Sequence, residues 1–139
     1  MIVGIGTDLV QIKRIEAALH RSGPRFAERI LAPEERAEYA AAARPAVFLA
    51  KRFAVKEAAS KALGTGIAKG ISWHHIQLGH DALGAPLLQL SGAAAERQRL
   101  QRIDGLHVSL SDEQEYVIAY VILERVAGPS ATLSSSQEN

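Results

Sequence analysis

The sequence contains no cysteine, which excludes disulfide bonds and thiol chemistry. It also lacks an excess of either charge, because 16 Lys and Arg residues face 15 Asp and Glu residues. The formal net charge of +1 gives no reason to expect nucleic acid or a membrane as a partner. No apolar run approaches the roughly 20 residues of a membrane span. The first ten residues have no basic leader. These absences together predict a cytoplasmic protein.

The length of 139 residues and the composition predict one domain with a well-formed core. Hydrophobic residues make up 47% of the chain and charged residues 22%, which argues against disorder. Helical spacing dominates the first half and alternating patterns the second, which favours an α+β fold. We assign the domain to residues 1–126. Residues 127–139 are polar and Ser-rich, and we expect them to form a disordered tail.

The first predicted element is a short buried strand at residues 2–6. Thr7 or Asp8 then caps a helix that ends near Arg21. Further helices are predicted at residues 26–31, from Pro33, at residues 46–63 and at residues 93–102, and strands at residues 76–78, 88–90, 107–111 and 116–123.

The position of Asp8 fits two different roles. An acid beside a buried Gly-rich strand and a helix start can be a metal ligand. It can equally be the N-cap of that helix, which contributes about 1 kcal/mol to stability. Position alone favours the cap.

Glu57 is the only acid between Arg44 and Gly70. It can form an i,i+4 surface ion pair with Lys61, which adds a few tenths of a kcal/mol. The local excess of positive charge instead suggests a binding face for phosphate. A carboxylate within such a face is useful when a cation such as Mg²⁺ lies between the carboxylate and the bound phosphate. The basic residues of the segment are Arg44, Lys51, Arg52, Lys56, Lys61 and Lys69.

Two other motifs are less specific. The glycines of Gly64–Gly66 follow a helix, so they are either a helix C-cap or a place where a ligand approaches the backbone. They are not a Walker loop, which follows a strand. His107, Ser109 and Ser111 share one face of a predicted strand, as a polar binding wall or a solvent face. A serine hydrolase is excluded because there is no GxSxG motif.

Three segments together resemble the holo-[acyl-carrier-protein] synthases, the small bacterial type of 4′-phosphopantetheinyl transferase. These segments are IGTDLVQIKRI, FLAKRFAVKEAASKALGTGI and HVSLSDEQEYVIAYVILE, and the resemblance covers about residues 2–124. It implies a single α+β domain with a long central helix packed on a small antiparallel sheet. It also implies a homotrimer with active sites at the subunit interfaces.

The implied reaction is Mg²⁺-dependent transfer of phosphopantetheine from coenzyme A to a serine of apo acyl carrier protein. The second product is adenosine 3′,5′-bisphosphate, and the reaction supports fatty acid biosynthesis. Asp8 and Glu57 match the metal ligands of the family, and Lys61 matches its pyrophosphate contact. These three residues form the implied catalytic set. We expect the general base to be Glu57, acting directly or through a metal-bound water.

The resemblance also implies binding residues for both substrates. Arg14 matches a contact to the acidic carrier protein, and other basic residues of residues 13–29 surround it. Gly84, Pro86 and His107 match coenzyme contacts from a neighbouring subunit. The full implied coenzyme set is Arg44, Arg52, Lys61, Gly64, Gly66, Gly84, Pro86 and His107.

Two alternatives stay open at this point. One is a non-catalytic module that binds coenzyme A or the carrier protein, and the other is a structural oligomer with a solvated basic helix. Asp8, Glu57 and Lys61 together argue against the module, because a pure binder has no need of both carboxylates. The sequence departs from some family members at Asp112, where they carry His.

Overall fold

The computed structural model describes residues 1–126, and the predicted tail lies outside the described residues. Short 3₁₀ turns at Pro33–Glu35 and Trp73–His75 connect the regular elements. The predicted α+β class is confirmed. In chain order the elements are β1 (Ile2–Gln11), α1 (Ile12–Ser22), α2 (Pro24–Ile30), α3 (Arg36–Ala40), α4 (Pro45–Ala62), β2 (Ile76–His80), β3 (Pro86–Leu90), α5 (Gly92–Leu100), β4 (Gly105–Asp112) and β5 (Tyr116–Glu124).

The strands form a three-stranded antiparallel sheet in the order β1-β5-β4 and a separate β2-β3 hairpin. Side chains alternate between the two faces of each strand. On β5 the inward residues are buried, and they belong to the core with α4. These inward residues are Val117, Ala119, Val121 and Leu123, each at most 1% exposed.

The contact between α4 and β1 is unusually close because β1 carries glycines where the helix crosses it. A Cβ atom added to Gly6 would lie 1.9 Å from the carbonyl oxygen of Ala58. A Cβ atom added to Gly4 would lie 2.1 Å from the carbonyl oxygen of Ala62. No larger residue fits at either position without moving the helix. The glycines therefore set the distance between the helix and the strand.

The predicted boundary between β1 and α1 is wrong. The strand continues through Asp8 to Gln11, because β5 pairs with it along the whole length to Gln11 opposite Tyr116. The helix begins at Ile12, and Gln11 occupies its N-cap position without a side-chain bond. Asp8 is therefore a strand residue, and its predicted role as a helix cap is wrong.

The face of the sheet opposite α4 carries apolar side chains that the described residues leave open. Ile5 and Leu9 on β1 are 64% and 62% exposed. Tyr120 on the neighbouring β5 is 47% exposed, and its register partner on β1 is Thr7. Among residues 1–126, no helix is long and apolar enough to cross a membrane.

Candidate active site

Asp8 and Glu57 line one cleft between β1, α1 and α4. The cleft has a volume of about 370 Å³. Asp8 lies between Gly6 and Val10 on the same face of β1, the face that α4 covers. Gly6 and Val10 are buried there. Glu57 reaches the cleft from α4, and Arg14 reaches it from α1. The full lining is Asp8, Leu9, Val10, Gln11, Arg14, Ile15, Phe26, Phe53 and Glu57.

Lys61 binds Asp8 rather than Glu57. Its Nζ atom donates to Asp8 Oδ1 at 2.9 Å and to the carbonyl oxygen of Thr7 at 3.0 Å. The predicted surface pair between Glu57 and Lys61 is absent from the ion pairs of residues 1–126. Lys61 is 50% exposed at its side chain, so solvent weakens the pair with Asp8. The ammonium group therefore lies at the edge of the site, where it is bound to Asp8 and in contact with solvent.

Glu57 has a hydrogen-bond partner, Trp73, that was not among the predicted site residues. Trp73 Nε1 donates to Glu57 Oε1 at 2.9 Å. Trp73 is the only tryptophan in the chain and follows Glu57 by 16 residues. No spacing rule connects a helix residue with a residue of a distant 3₁₀ turn, so no sequence pattern indicates this contact.

The donor set of the cleft fits a small divalent cation that also binds phosphate. Asp8 Oδ2 and Glu57 Oε2 accept no hydrogen bond from any described residue. Residues 1–126 contain no cluster of three or more His, Asp or Glu side chains that would hold a metal by themselves. Two carboxylates alone suit Mg²⁺, which is typically held by one or two carboxylates together with substrate phosphates.

The predicted basic surface on α4 is wrong at two positions. Arg52 is 2% exposed and Lys56 is fully buried. Lys56 Nζ donates to Glu35 Oε1 at 2.6 Å, and Arg52 binds Glu35 at 3.4 Å and Glu38 at 3.1 Å. A buried charge needs such partners. Burial lowers the pKa of Lys56, and the carboxylate of Glu35 opposes this shift. We therefore leave Arg52 out of the proposed coenzyme contacts.

A periodic signal for this burial was present in the sequence. Arg52 and Lys56 continue a row at spacings of three and four residues, which is one face of a helix. Every member of the row is at most 2% exposed. Helical spacing therefore predicts burial at these two positions, although the charge of their side chains suggests exposure. The row is Leu49, Arg52, Lys56, Ala59 and Leu63.

The turn after α4 is a helix C-cap built on glycines. Gly64 and Gly66 have φ angles of +80° and +62°, which favour glycine. The amides of Thr65 and Gly66 donate to the carbonyl oxygen of Ser60 at 3.3 and 3.0 Å. The C-cap interpretation is confirmed. A role in ligand binding stays a prediction.

The other predicted coenzyme contacts lie away from the carboxylate cleft. Gly84 and Pro86 line a second cleft of about 300 Å³, which shares no lining residue with the first. His107 lies on the exposed face of β4 with Ser109 and Ser111, as predicted. Its Nε2 atom lies 2.8 Å from Glu124 Oε2. A single chain therefore presents two separate parts of the predicted coenzyme site.

Arg44 also lies far from the glycine turn. It precedes α4, whereas Gly64 and Gly66 follow it. An α-helix of 18 residues is about 27 Å long. Arg44 and the turn therefore cannot hold the same phosphate within one chain.

Basic side chains are concentrated on α1 and α2, next to the carboxylate cleft. Arg14 lines the cleft itself. None of these side chains takes part in an ion pair within the described residues. This basic surface consists of the exposed residues Lys13, Arg14, Arg21, Arg25 and Arg29.

Residues 4–121 match the family profile described as the 4′-phosphopantetheinyl transferase superfamily. Holo-[acyl-carrier-protein] synthase of Vibrio cholerae serotype O1 is 56% identical over 125 residues, covering 90% of this chain and 99% of that protein. The crystal structure of the Neisseria meningitidis synthase matches with a TM-score of 0.86 and 46% identity, covering 90% of this chain and all of that one. The Helicobacter pylori synthase in complex with coenzyme A matches with a TM-score of 0.76 and 36% identity, covering 86% and 99%.

The chain therefore belongs to the 4′-phosphopantetheinyl transferase superfamily and, within it, to the family of holo-[acyl-carrier-protein] synthases. It is a transferase.

Proposed function

We propose that the chain transfers the 4′-phosphopantetheine group of coenzyme A to a serine hydroxyl of apo acyl carrier protein. The products are holo acyl carrier protein and adenosine 3′,5′-bisphosphate, and Mg²⁺ is required. Relatives that carry the synthase name and a relative crystallised with coenzyme A support this proposal. The role in the cell is to supply holo carrier protein for fatty acid biosynthesis.

The observation that carries the proposal is the meeting of Asp8, Glu57 and Arg14 at one cleft. The carboxylates come from β1 and α4, and the guanidinium from α1. Mg²⁺ bound to the carboxylates would neutralise charge on the pyrophosphate. Arg14 also belongs to the exposed basic surface of α1 and α2, which suits an acidic protein partner. Both substrates thus find complementary chemistry at one place.

The side chains of the cleft have separate roles in the transfer. The serine oxygen attacks the phosphorus that carries the pantetheine arm, and the bond to the bridging pyrophosphate oxygen breaks. The serine proton passes to the carboxylate of Glu57 through a water molecule, so that Oε2, which has no partner among the described residues, stays available to a cation. Lys61 leaves Asp8 and stabilises negative charge on the phosphate oxygens. The leaving group departs as adenosine 3′,5′-bisphosphate.

We further propose that the complete site forms between two subunits of a homotrimer. Two observations support this arrangement. The hairpin cleft with Gly84 and Pro86 is separate from the carboxylate cleft, so a neighbour is needed to bring them together. The open apolar face at Ile5, Leu9 and Tyr120 provides a surface for association.

Mass spectrometry of the carrier protein tests the proposed reaction. Apo acyl carrier protein is incubated with this protein, coenzyme A and Mg²⁺, beside a sample that contains EDTA. We expect a mass gain of one phosphopantetheine group that EDTA abolishes. A mass gain that persists in EDTA would overturn the metal requirement.

Variants of the two carboxylates separate the transferase from the binding module. Asp8→Ala and Glu57→Ala should fold normally and lose the mass gain. A folded wild-type protein that binds coenzyme A but never modifies a competent carrier protein would favour the module. Near-normal turnover of Glu57→Ala at saturating Mg²⁺ would show that the role of Glu57 is wrong.

A further inference from the structure

The indole of Trp73 fixes one oxygen of the Glu57 carboxylate. Its Nε1 atom donates to Glu57 Oε1 at 2.9 Å in a partly buried setting. An indole nitrogen is a hydrogen-bond donor only, so it cannot itself bind a cation. The bond therefore orients the carboxylate without competing for a metal ion. It leaves Oε2 without a partner among the described residues.

Trp73 is itself held firmly. Its backbone carbonyl accepts a hydrogen bond from Lys56 Nζ at 2.8 Å. Lys56 is fully buried, and its Nζ atom also donates to Glu35 Oε1 and to the carbonyl oxygen of Ile76. Three hydrogen bonds therefore hold the ammonium group that binds Trp73. A mobile donor would not orient a carboxylate, whereas an anchored one does.

The ring of Trp73 also packs against a side chain that lines the carboxylate cleft. Its centroid lies 6.3 Å from that of Phe53, and the planes are inclined by 37°. Phe53 lines the carboxylate cleft with Glu57. Glu35, Arg52 and Lys56 form a buried ionic cluster. Trp73 connects this cluster to the carboxylate of Glu57 in the cleft.

We propose that Trp73 is a positioning residue that holds Glu57 ready to bind a divalent cation. The inference rests on the proposed function, in which Glu57 is a metal ligand. Groups that orient metal ligands from outside typically contribute 10- to 100-fold to metal affinity or activity. Loss of the indole N–H should therefore weaken cation binding about tenfold.

Trp73→Phe tests the proposal, because it removes the N–H donor and keeps an aromatic ring, although a smaller one, against Phe53. Mn²⁺ serves as the probe, and its binding is measured by electron paramagnetic resonance with coenzyme A present. Tyr39→Phe is the matched control, since it also removes one aromatic polar group and Tyr39 packs on Phe48, away from the cleft. We expect about tenfold weaker Mn²⁺ binding for Trp73→Phe only.

The outcomes separate this inference from the proposed function. Equal Mn²⁺ affinity in wild type and Trp73→Phe, with normal transfer by the wild type, would overturn the inference alone. A wild type that neither binds Mn²⁺ with coenzyme A nor modifies the carrier protein would overturn both. Weaker binding in both variants would point to general loosening and would also contradict a specific role.

A second measurement applies if Trp73→Phe does not fold. Trp73 is the only tryptophan, so the intrinsic fluorescence of the wild type reports on this one indole. Its emission should shift when Mg²⁺ binds with coenzyme A, and should shift without metal in Glu57→Ala. Unchanged emission under conditions where calorimetry shows binding would overturn the inference.

Discussion

At the scale of single residues, Lys61 has two possible partners, the carboxylate of Asp8 and the pyrophosphate of coenzyme A. Its ammonium group binds Asp8 Oδ1 at 2.9 Å, and Asp8 is a proposed metal ligand. The same ammonium group is proposed to stabilise the pyrophosphate. A cation bound to Asp8 Oδ2 would be repelled by the ammonium group on Oδ1, so the two positive charges would compete for one carboxylate until coenzyme A offers Lys61 another anion. Binding of metal and coenzyme should be cooperative for this reason.

Lys61→Gln should change the two affinities in opposite directions. Without the ammonium group, Mn²⁺ alone should bind Asp8 and Glu57 several-fold more tightly, because a like charge is removed. Coenzyme A should bind about tenfold more weakly, because a charge-assisted hydrogen bond is lost. Calorimetric titration measures both affinities.

Lys13→Gln is the control for Lys61→Gln, since it makes the same charge change at an exposed residue of α1. It should leave both affinities near those of the wild type. If Lys61→Gln weakened Mn²⁺ binding in the absence of coenzyme A, the competition between the cation and Lys61 would be refuted.

At the scale of elements, the spacing between β1 and α4 depends on glycine. Gly6→Ala would place a methyl group 1.9 Å from the carbonyl oxygen of Ala58, so the helix must move. We expect a loss of about 2–3 kcal/mol in the free energy of unfolding, as for overpacked cores. Chemical denaturation measures this loss.

Gly79→Ala provides the comparison for Gly6→Ala. Gly79 lies in β2, and a methyl group there would meet no atom within 4 Å. Its substitution should change the free energy of unfolding by less than about 0.5 kcal/mol. Equal losses for the two variants would show that the close contact with α4 does not set the stability.

The buried ionic cluster gives a second prediction for α4. Lys56→Met removes one partner of Glu35, which is 4% exposed, and should cost about 3 kcal/mol of stability. Lys51→Met on the same helix removes a pair with Asp112 in which both side chains are about 40% exposed. That loss should be at most about 1 kcal/mol. A similar loss of unfolding free energy in both variants would contradict the conclusion that burial makes the Lys56–Glu35 pair costly to break.

The same cluster predicts a pH dependence of stability. Burial lowers the pKa of Lys56 below its usual value of 10.5. Between the lowered pKa and 10.5 the unfolded chain binds more protons than the folded chain, so this group raises stability as pH rises. The difference in unfolding free energy between wild type and Lys56→Met should therefore grow with pH in that window. A difference that shrinks there would show that the direction of the pKa shift is wrong.

Sequence patterns predicted elements better than the contacts between them. The β2-β3 hairpin, α4 and the last two strands lie close to their predicted positions, because their signals are local. The end of β1 was missed because its pairing with β5 involves residues more than 100 positions away. A local pattern cannot show that partner, and the residues before Ile12 also fit a helix.

In the candidate site, too, the residues were predicted but their contacts were not. Asp8, Glu57 and Lys61 were found through their chemistry and a family resemblance, but their hydrogen-bond partners were not. Lys61 and Asp8 are 53 residues apart, and Lys56 and Glu35 are 21 residues apart. The burial of Lys56 and Arg52 depends on Glu35, and no local pattern connects residues 21 and 17 positions apart in the chain.

At the scale of the whole molecule, the two clefts predict complementation between defective subunits. Glu57→Ala damages the carboxylate cleft, and Pro86→Glu places a negative charge in the hairpin cleft. Each variant alone should be inactive. In mixed trimers formed by refolding the two together, about one quarter of the sites should combine intact halves. The carrier-protein mass assay measures the recovered activity.

The mixture of Asp8→Ala with Glu57→Ala is the matched control for this experiment. Both substitutions lie in the same cleft, so every subunit carries a defective half and no activity should return. An inactive mixture of Glu57→Ala and Pro86→Glu, in trimers confirmed by sedimentation, would show that the site does not form between subunits.

The pairing of β1 with β5 has a consequence for synthesis on the ribosome. About 105 residues separate Gln11 from Tyr116, its partner on β5. At about 5–20 residues per second, β1 waits roughly 5–20 s before its partner strand is made. During that time the apolar side chains of Ile5, Leu9 and Val10 have no sheet to join. The nascent chain therefore exposes an unpaired strand, a substrate for chaperones, until nearly the last described residue has been translated.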